Sequence, residues 1–227
     1  MENKKLKISL VLNIIIVLFT IFATIVMFTG FKFMDGGSLL ESTKLGMFRF
    51  YTVDSNLVMG IIALIFIIKE IELLTGKIDY IPSVMYILKL IGTVGVTLTF
   101  LVTFGYLAQI AKGGALAMIQ NSNLFFHLLT PLFSIITFIF FEKTDKLKYK
   151  YTFLGVSSTL IYTVYYAINV LVHMENGKVS PLYDFYWFVQ GGMWQIFVVI
   201  PLMLGITYGI STLLWKFNKM GVKNEVK

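Results

Sequence analysis

Imidazole is scarce in this 227-residue chain, which has two histidines, and both stand one helical turn after an asparagine: Asn123 before His127, and Asn169 before His173. Residues three or four apart share a helix face, so each pair is aligned wherever its segment is helical. A third polar group opens another apolar run, Tyr51-Thr52-Val53-Asp54-Ser55-Asn56, with Thr52 aligned on Ser55 and Asn56. Asp184 stands apart, in an aromatic stretch ahead of the last apolar run. Hydroxyl, carboxylate and imidazole side chains can move protons, and amides can orient them by hydrogen bonds. A metal centre would draw on His127, His173 and Asp54 or Asp184, but no HxxxH-type spacing supports one. The absence of cysteine removes thiolate ligands, disulfides and a cysteine nucleophile. No metal and no cofactor is expected. Each group also has a structural use: Thr52, Asp54 and Ser55 as helix caps, the histidines as interfacial anchors or interhelical hydrogen-bond partners. Pro131, four residues after His127, removes the N–H that would bond the His127 carbonyl and predicts a disturbed helix there.

The elements that must hold these residues are apolar helices. Hydrophobic residues make up 57% and charged residues 14% of the chain, with a mean hydropathy of +0.82, against about 25% charge in a soluble domain. Runs long enough to cross a bilayer core, roughly 20 residues each, fall at about 8–30, 52–74, 84–107, 124–141, 151–172 and 188–215. The expectation is an all-α membrane protein, one domain over 1–227, built as a bundle of six transmembrane helices. Lys4, Lys5 and Lys7 before the first run imitate a signal peptide, yet that run is too long for one and no small-residue cleavage site follows.

Charge sets the expected orientation. Alternate loops and termini gather thirteen lysines on one side, while the other side holds Lys32, Lys44, Arg49, Lys112 and Lys178. Basic residues favour the cytoplasmic side, so both N- and C-termini are expected in the cytoplasm. The net charge of +7 then follows from topology rather than from nucleic-acid binding. Eighteen lysines against the single Arg49, with abundant Ile, Phe and Asn, point to an AT-rich bacterial genome and a bacterial cytoplasmic membrane.

In that orientation Thr52, Asp54, Ser55, Asn56, Asn123, His127, Asn169, His173 and Asp184 all lie near the outer face. The cytoplasmic halves of the helices read as poor in groups for proton chemistry, and Lys89 reads as a lysine that snorkels to the interface. Thr159, Tyr162, Tyr166, Asn169 and His173 form a polar and aromatic stripe that should face the bundle interior. Gly92, Thr93, Gly95, Thr97, Thr99 and Thr103 read as a small-residue packing face. A transporter would place polar sites at the midplane between internal repeats, and no repeat is visible.

The order of three short motifs resembles a known family: Phe48-Arg49-Phe50-Tyr51-Thr52 with Ser55-Asn56, then Asn123-Leu124-Phe125-Phe126-His127 with Pro131, then Leu182-Tyr183-Asp184-Phe185. The pattern is similar to the androgen-induced-protein-like intramembrane threonine hydrolases, in their six-helix bacterial branch. That resemblance implies hydrolysis of fatty acyl esters, with Thr52 as nucleophile and His127 as base, and a membrane lipid or acyl ester as substrate. Ser55, Asn56 and Asn123 would bind substrate or oxyanion, with Asp54, Asn169, His173 and Asp184 in support. The chain departs from the family pattern at Tyr183-Asp184-Phe185, where relatives usually carry Tyr-Pro-Phe. The other reading of the same residues is a non-catalytic membrane protein that binds lipid, serves as a scaffold or carries a small solute.

Overall fold

The computed structural model describes residues 3–35 and 42–222. Six long helices run through it: α1 (Asn3–Thr29), α2 (Tyr51–Leu74), α3 (Ser83–Ile110), α4 (Leu124–Phe141), α5 (Tyr149–Val172) and α6 (Met193–Lys219). Five of them, α1 and α3 to α6, are long and apolar enough to cross a membrane. Helix α2 is of comparable length, 24 residues, but carries Asp54 near one end and Lys69, Glu70 and Glu72 near the other. The only strand pairing among the described residues joins Met174–Glu175 to Lys178–Val179. Its turn is Asn176-Gly177, where both residues have positive φ, the conformation that suits a tight hairpin.

Helix α3 is the hub, packed on α2, α4, α5 and α6, while α1 covers α2 and α4. Its small-residue face makes that position available. A Cβ on Gly95 would lie 3.2 Å from the Tyr51 hydroxyl and 3.3 Å from Ser55 Cβ, and one on Gly92 would lie 2.8 Å from Met59 Sδ. Large apolar side chains such as Phe197, Ile161 and Val172 point outward. That inverts the soluble pattern and matches helices whose surroundings are apolar.

Consecutive helices alternate in direction. At one end Asn121 Oδ1 accepts 2.9 Å bonds from the N–H groups of Phe33 and Met34, and Tyr186 meets the start of α2. At the other, Trp215 Nε1 donates to the Leu147 carbonyl at 2.8 Å and the Thr144 N–H to Asn218 Oδ1 at 3.3 Å. This second end carries the lysines of the α1 start and of the connections α2–α3 and α4–α5, and is called the lysine-rich end below; Lys223 and Lys227 lie outside the described residues.

Two expectations change. Helix α6 begins at Met193, not near Phe188, because residues 187–192 turn through positive φ at Trp187 and Gly192. Lys89 does not snorkel: it is fully buried, and its ammonium sits 2.9 Å from Glu142 Oε1, also fully buried. The lysine-rich half of the bundle is therefore not poor in ionisable groups. Around that pair, Asn13 Oδ1 accepts a 2.6 Å bond from Lys89, and Asn13 Nδ2 donates to Glu142 Oε1 at 2.9 Å and to Glu70 Oε2 at 3.2 Å.

Candidate active site

Tyr51 and Thr52 open α2, and the first N–H of that helix has no intrahelical acceptor. The Tyr186 hydroxyl fills the gap, accepting from the Tyr51 N–H at 2.9 Å. Burial pushes the Tyr186 phenol up to about 12, so it stays protonated at neutral pH and can also donate. Its partners include the Thr52 hydroxyl and the Tyr162 phenol. The backbone donor beside Thr52 is thus occupied by a phenol.

Asp184 explains how Tyr186 arrives there. It is fully buried and its carboxylate accepts from Tyr166 Oη, the Phe188 N–H (2.9 Å), the Val189 N–H (3.2 Å) and Gln190 Nε2 (2.6 Å). A carboxylate with four donors is satisfied, so Asp184 folds the 184–190 loop around itself and aims no free oxygen at Thr52. Asn169 Nδ2 fixes the same loop through the Tyr183 carbonyl at 2.8 Å, and His173 stacks on Tyr183 with ring centroids 3.6 Å apart. The helix-five stripe faces inward as its composition requires. Thr159 Oγ1 meets the Tyr51 hydroxyl at 3.0 Å, and Tyr162 Oη donates to the Arg49 carbonyl at 2.5 Å.

On the other side of α2, Ser55 and Asn56 point into the bundle. Ser55 Oγ lies 3.2 Å from the Thr52 carbonyl and 3.1 Å from Thr99 Oγ1. Asn56 Nδ2 donates to two carbonyls, Thr52 at 2.7 Å and Phe126 at 3.1 Å. One amide therefore ties the residue expected as nucleophile to the residue preceding His127. Asn123 and His127 are both fully buried.

The start of α4 is π-helical over Leu124–Leu129 and becomes α-helical only from Thr130. Pro131 supplies the reason: without an N–H it cannot bond the His127 carbonyl, and the wider turn accommodates the ring. His127 Nδ1 lies 2.6 Å from the Met118 carbonyl, an acceptor, so that nitrogen carries the proton. Nε2 is left as a lone-pair nitrogen, buried and, among the described residues, without a hydrogen-bond partner. Backbone orientation of one ring nitrogen with the other free is the arrangement of a general base.

The expected residues are therefore only partly convergent. Ser55 joins α2 to Thr99 of α3 and Asn56 joins it to the Phe126 carbonyl of α4, but the Thr52 hydroxyl makes no hydrogen bond to His127. Asp54 is half-buried on the opposite flank of α2, in a groove of about 660 Å³ shared with Arg49, Ser158, Tyr162 and Tyr165. Asn169, His173 and Asp184 serve the outer loop. Thr52 also borders a small apolar cavity of about 70 Å³ enclosed by Tyr51, Val102, Tyr166, Phe188 and Met203; His127 is not part of its wall. Among the described residues no group of three or more His, Cys, Asp or Glu side chains is placed to hold a metal ion. Tyr186 is the participant that residue spacing missed; its one signal was the aromatic run Tyr183 to Phe188. No protein-family model, curated protein or solved structure matches the chain.

Proposed function

We propose that the chain is a six-span protein of a bacterial cytoplasmic membrane, with the lysine-rich end in the cytoplasm, and that it hydrolyses fatty acyl esters at the opposite face. The observation that carries the catalytic reading is the His127 ring, held through Nδ1–H on the Met118 carbonyl with Nε2 buried and without a hydrogen-bond partner among the described residues. In this scheme Nε2 takes the Thr52 proton as Oγ attacks the ester carbonyl, and returns it to the departing alkoxide as the C–O bond breaks. Water then cleaves the Thr52 acyl ester by the same proton relay. Engagement requires Thr52 to exchange its Tyr186 partner for His127; catalytic hydrogen bonds often tighten only with substrate bound. The test is turnover of an acyl-ester panel by purified wild type, Thr52→Ala, His127→Ala and the double variant. Each single variant should lose most activity, and the double should lose little more, because the two groups share one step. Single variants as active as wild type defeat the proposal.

A second reading, lipid binding without hydrolysis, is favoured by the Tyr186 phenol on the N–H at the start of α2. It predicts retention of acyl lipid by wild type and by Thr52→Ala alike, with no turnover and no labelling of Thr52 by a fluorophosphonate.

A further inference from the structure

The lysine-rich half of the bundle holds a cluster that the proposed hydrolysis does not use. Glu70 of α2, Lys89 of α3, and Glu142, which caps α4, are all fully buried, with Ser9 and Asn13 of α1 between them. Lys89 and Glu142 neutralise each other at 2.9 Å. Asn13 donates to both carboxylates, and Ser9 Oγ reaches Glu142 Oε1 at 3.5 Å. Glu70 accepts the 3.2 Å bond from Asn13 and has the Ser9 hydroxyl as a second partner, and among the described residues it has no contact ion pair of its own.

Two carboxylates against one ammonium leave one negative charge in excess, and an uncompensated charge in an apolar interior is among the costliest features a fold can carry. Among the described residues no hydrogen-bond donor reaches two buried carboxylate oxygens, Glu70 Oε1 and Glu142 Oε2. Adding one proton removes the excess charge and creates a donor where donors are short. Of the two acids, Glu142 is the one in contact with the ammonium, so Glu70 is the one to protonate. The remaining titratable group against the cluster is Tyr86 of α3. It interacts electrostatically with Glu142, Glu70 and Asp145, and packs edge-on against Phe66 at 5.7 Å, the ring beneath the Lys89 ammonium. Tyr86 also borders a vestibule of about 730 Å³ at the lysine-rich end, together with Asp79, Lys143, Asp145 and Lys146. The phenol thus stands between solvent and the carboxylates.

We propose that Glu70, Lys89 and Glu142 form a proton-binding site that holds one exchangeable proton on Glu70 at neutral pH and exchanges it through the Tyr86 vestibule. This site is independent of the hydrolase reading and of membrane orientation. Its consequence is that a rearrangement bringing Lys89 from Glu142 to Glu70 passes the proton from Glu70 to Glu142, so that the acid carrying the proton changes with helix movement.

Infrared spectroscopy of the purified full chain tests it. Wild type at neutral pH should show the C=O stretch of one protonated buried carboxyl, shifting to lower frequency in D2O and disappearing at alkaline pH. Glu70→Gln should remove the band. Glu142→Gln should remove it too, because Glu70 then becomes the counter-ion of Lys89. Lys89→Met should double it, since both acids then lack a cation. No band in wild type, a band surviving in Glu70→Gln, or a band lost at constant pH when sodium or potassium is added would each overturn the proposal, the last by showing a metal cation in place of the proton. The alkaline titration and the D2O shift are read on wild type, so the test stands even if a variant does not fold.

Discussion

Asn56→Leu isolates the amide that joins α2 to α4. Leucine keeps the branched shape and leaves no cavity, its two methyl groups being bulkier than the amide, while both bonds from Nδ2 to the Thr52 and Phe126 carbonyls are lost. The Thr52 carbonyl keeps Ser55 Oγ at 3.2 Å as a partner, whereas the Phe126 carbonyl loses its bond from α2. Interhelical hydrogen bonds between apolar helices average about 0.6 kcal/mol and reach about 1.7, while an orphaned buried polar group costs about 1–3 kcal/mol. Partly offsetting this, Asn56 Oδ1 is already buried without a partner, and its removal relieves a desolvated acceptor. The expected loss is therefore about 1–2 kcal/mol. Asn56→Ala should lose more, because it adds a cavity to the same missing bonds. Unfolding by heat or by denaturing detergent, followed by tryptophan fluorescence, measures both. Ester turnover per folded molecule should fall in Asn56→Leu by more than its stability loss explains, since the Thr52–His127 register goes with the amide. An Asn56→Leu protein as stable as wild type and equally active would refute the claim that this amide sets the register.

Three further outcomes are expected. Gly155→Ala places a Cβ 2.2 Å from Ser211 Oγ, disturbing the 2.8 Å bond from Ser211 to the Thr152 carbonyl; overpacking of this kind costs about 1–3 kcal/mol, and Ser211→Gly in the same chain should recover part of it in melting curves. Tyr186→Phe orphans the Tyr51 N–H and should cost about 1–2 kcal/mol of stability; an unchanged melting temperature would mean that the phenol is not needed at the start of α2. Because the chain has no cysteine, single cysteines report topology cleanly: at Lys44, Lys112 and Lys178 they should react with a membrane-impermeant maleimide on intact cells, and at Lys77 and Lys146 only after permeabilisation. The reverse pattern would invert the proposed orientation.

Hydropathy alone located the helices closely, because burial in an apolar surrounding writes itself as continuous apolar runs; the exception, the start of α6, failed where Phe188 and Val189 are apolar but belong to the loop folded on Asp184. The inward stripe of α5 was legible for a related reason: Thr159, Tyr162 and Tyr166 recur at helical spacing, and their hydroxyls would be unpaired against lipid. Tyr186 was not legible, since its position depends on four donors converging on Asp184, and that geometry is written in no spacing. Thr52 and His127 stand near the starts of α2 and α4, which Asn56 joins, but position along a helix does not determine rotation, and rotation decides whether a hydroxyl meets a phenol or an imidazole.

Lys89 shows most clearly what one-dimensional reasoning omits. A lysine near a helix end can either reach the interface or turn inward, and its own sequence neighbourhood is the same in both cases. The choice depends on the energy of the two destinations. Outward, the ammonium must find water along the flank of α3, which α2, α4, α5 and α6 cover. Inward, it meets a carboxylate at 2.9 Å and an amide oxygen at 2.6 Å, and charge-assisted bonds of this kind offset much of the desolvation that burial imposes. The partners come from α1 and the end of α4, each unremarkable alone: Asn13 as one polar residue in an apolar helix, Glu142 as a helix-end acid. Only the hub position of α3 makes them neighbours, so the ionisable core of this bundle is a property of helix packing and becomes visible only with it.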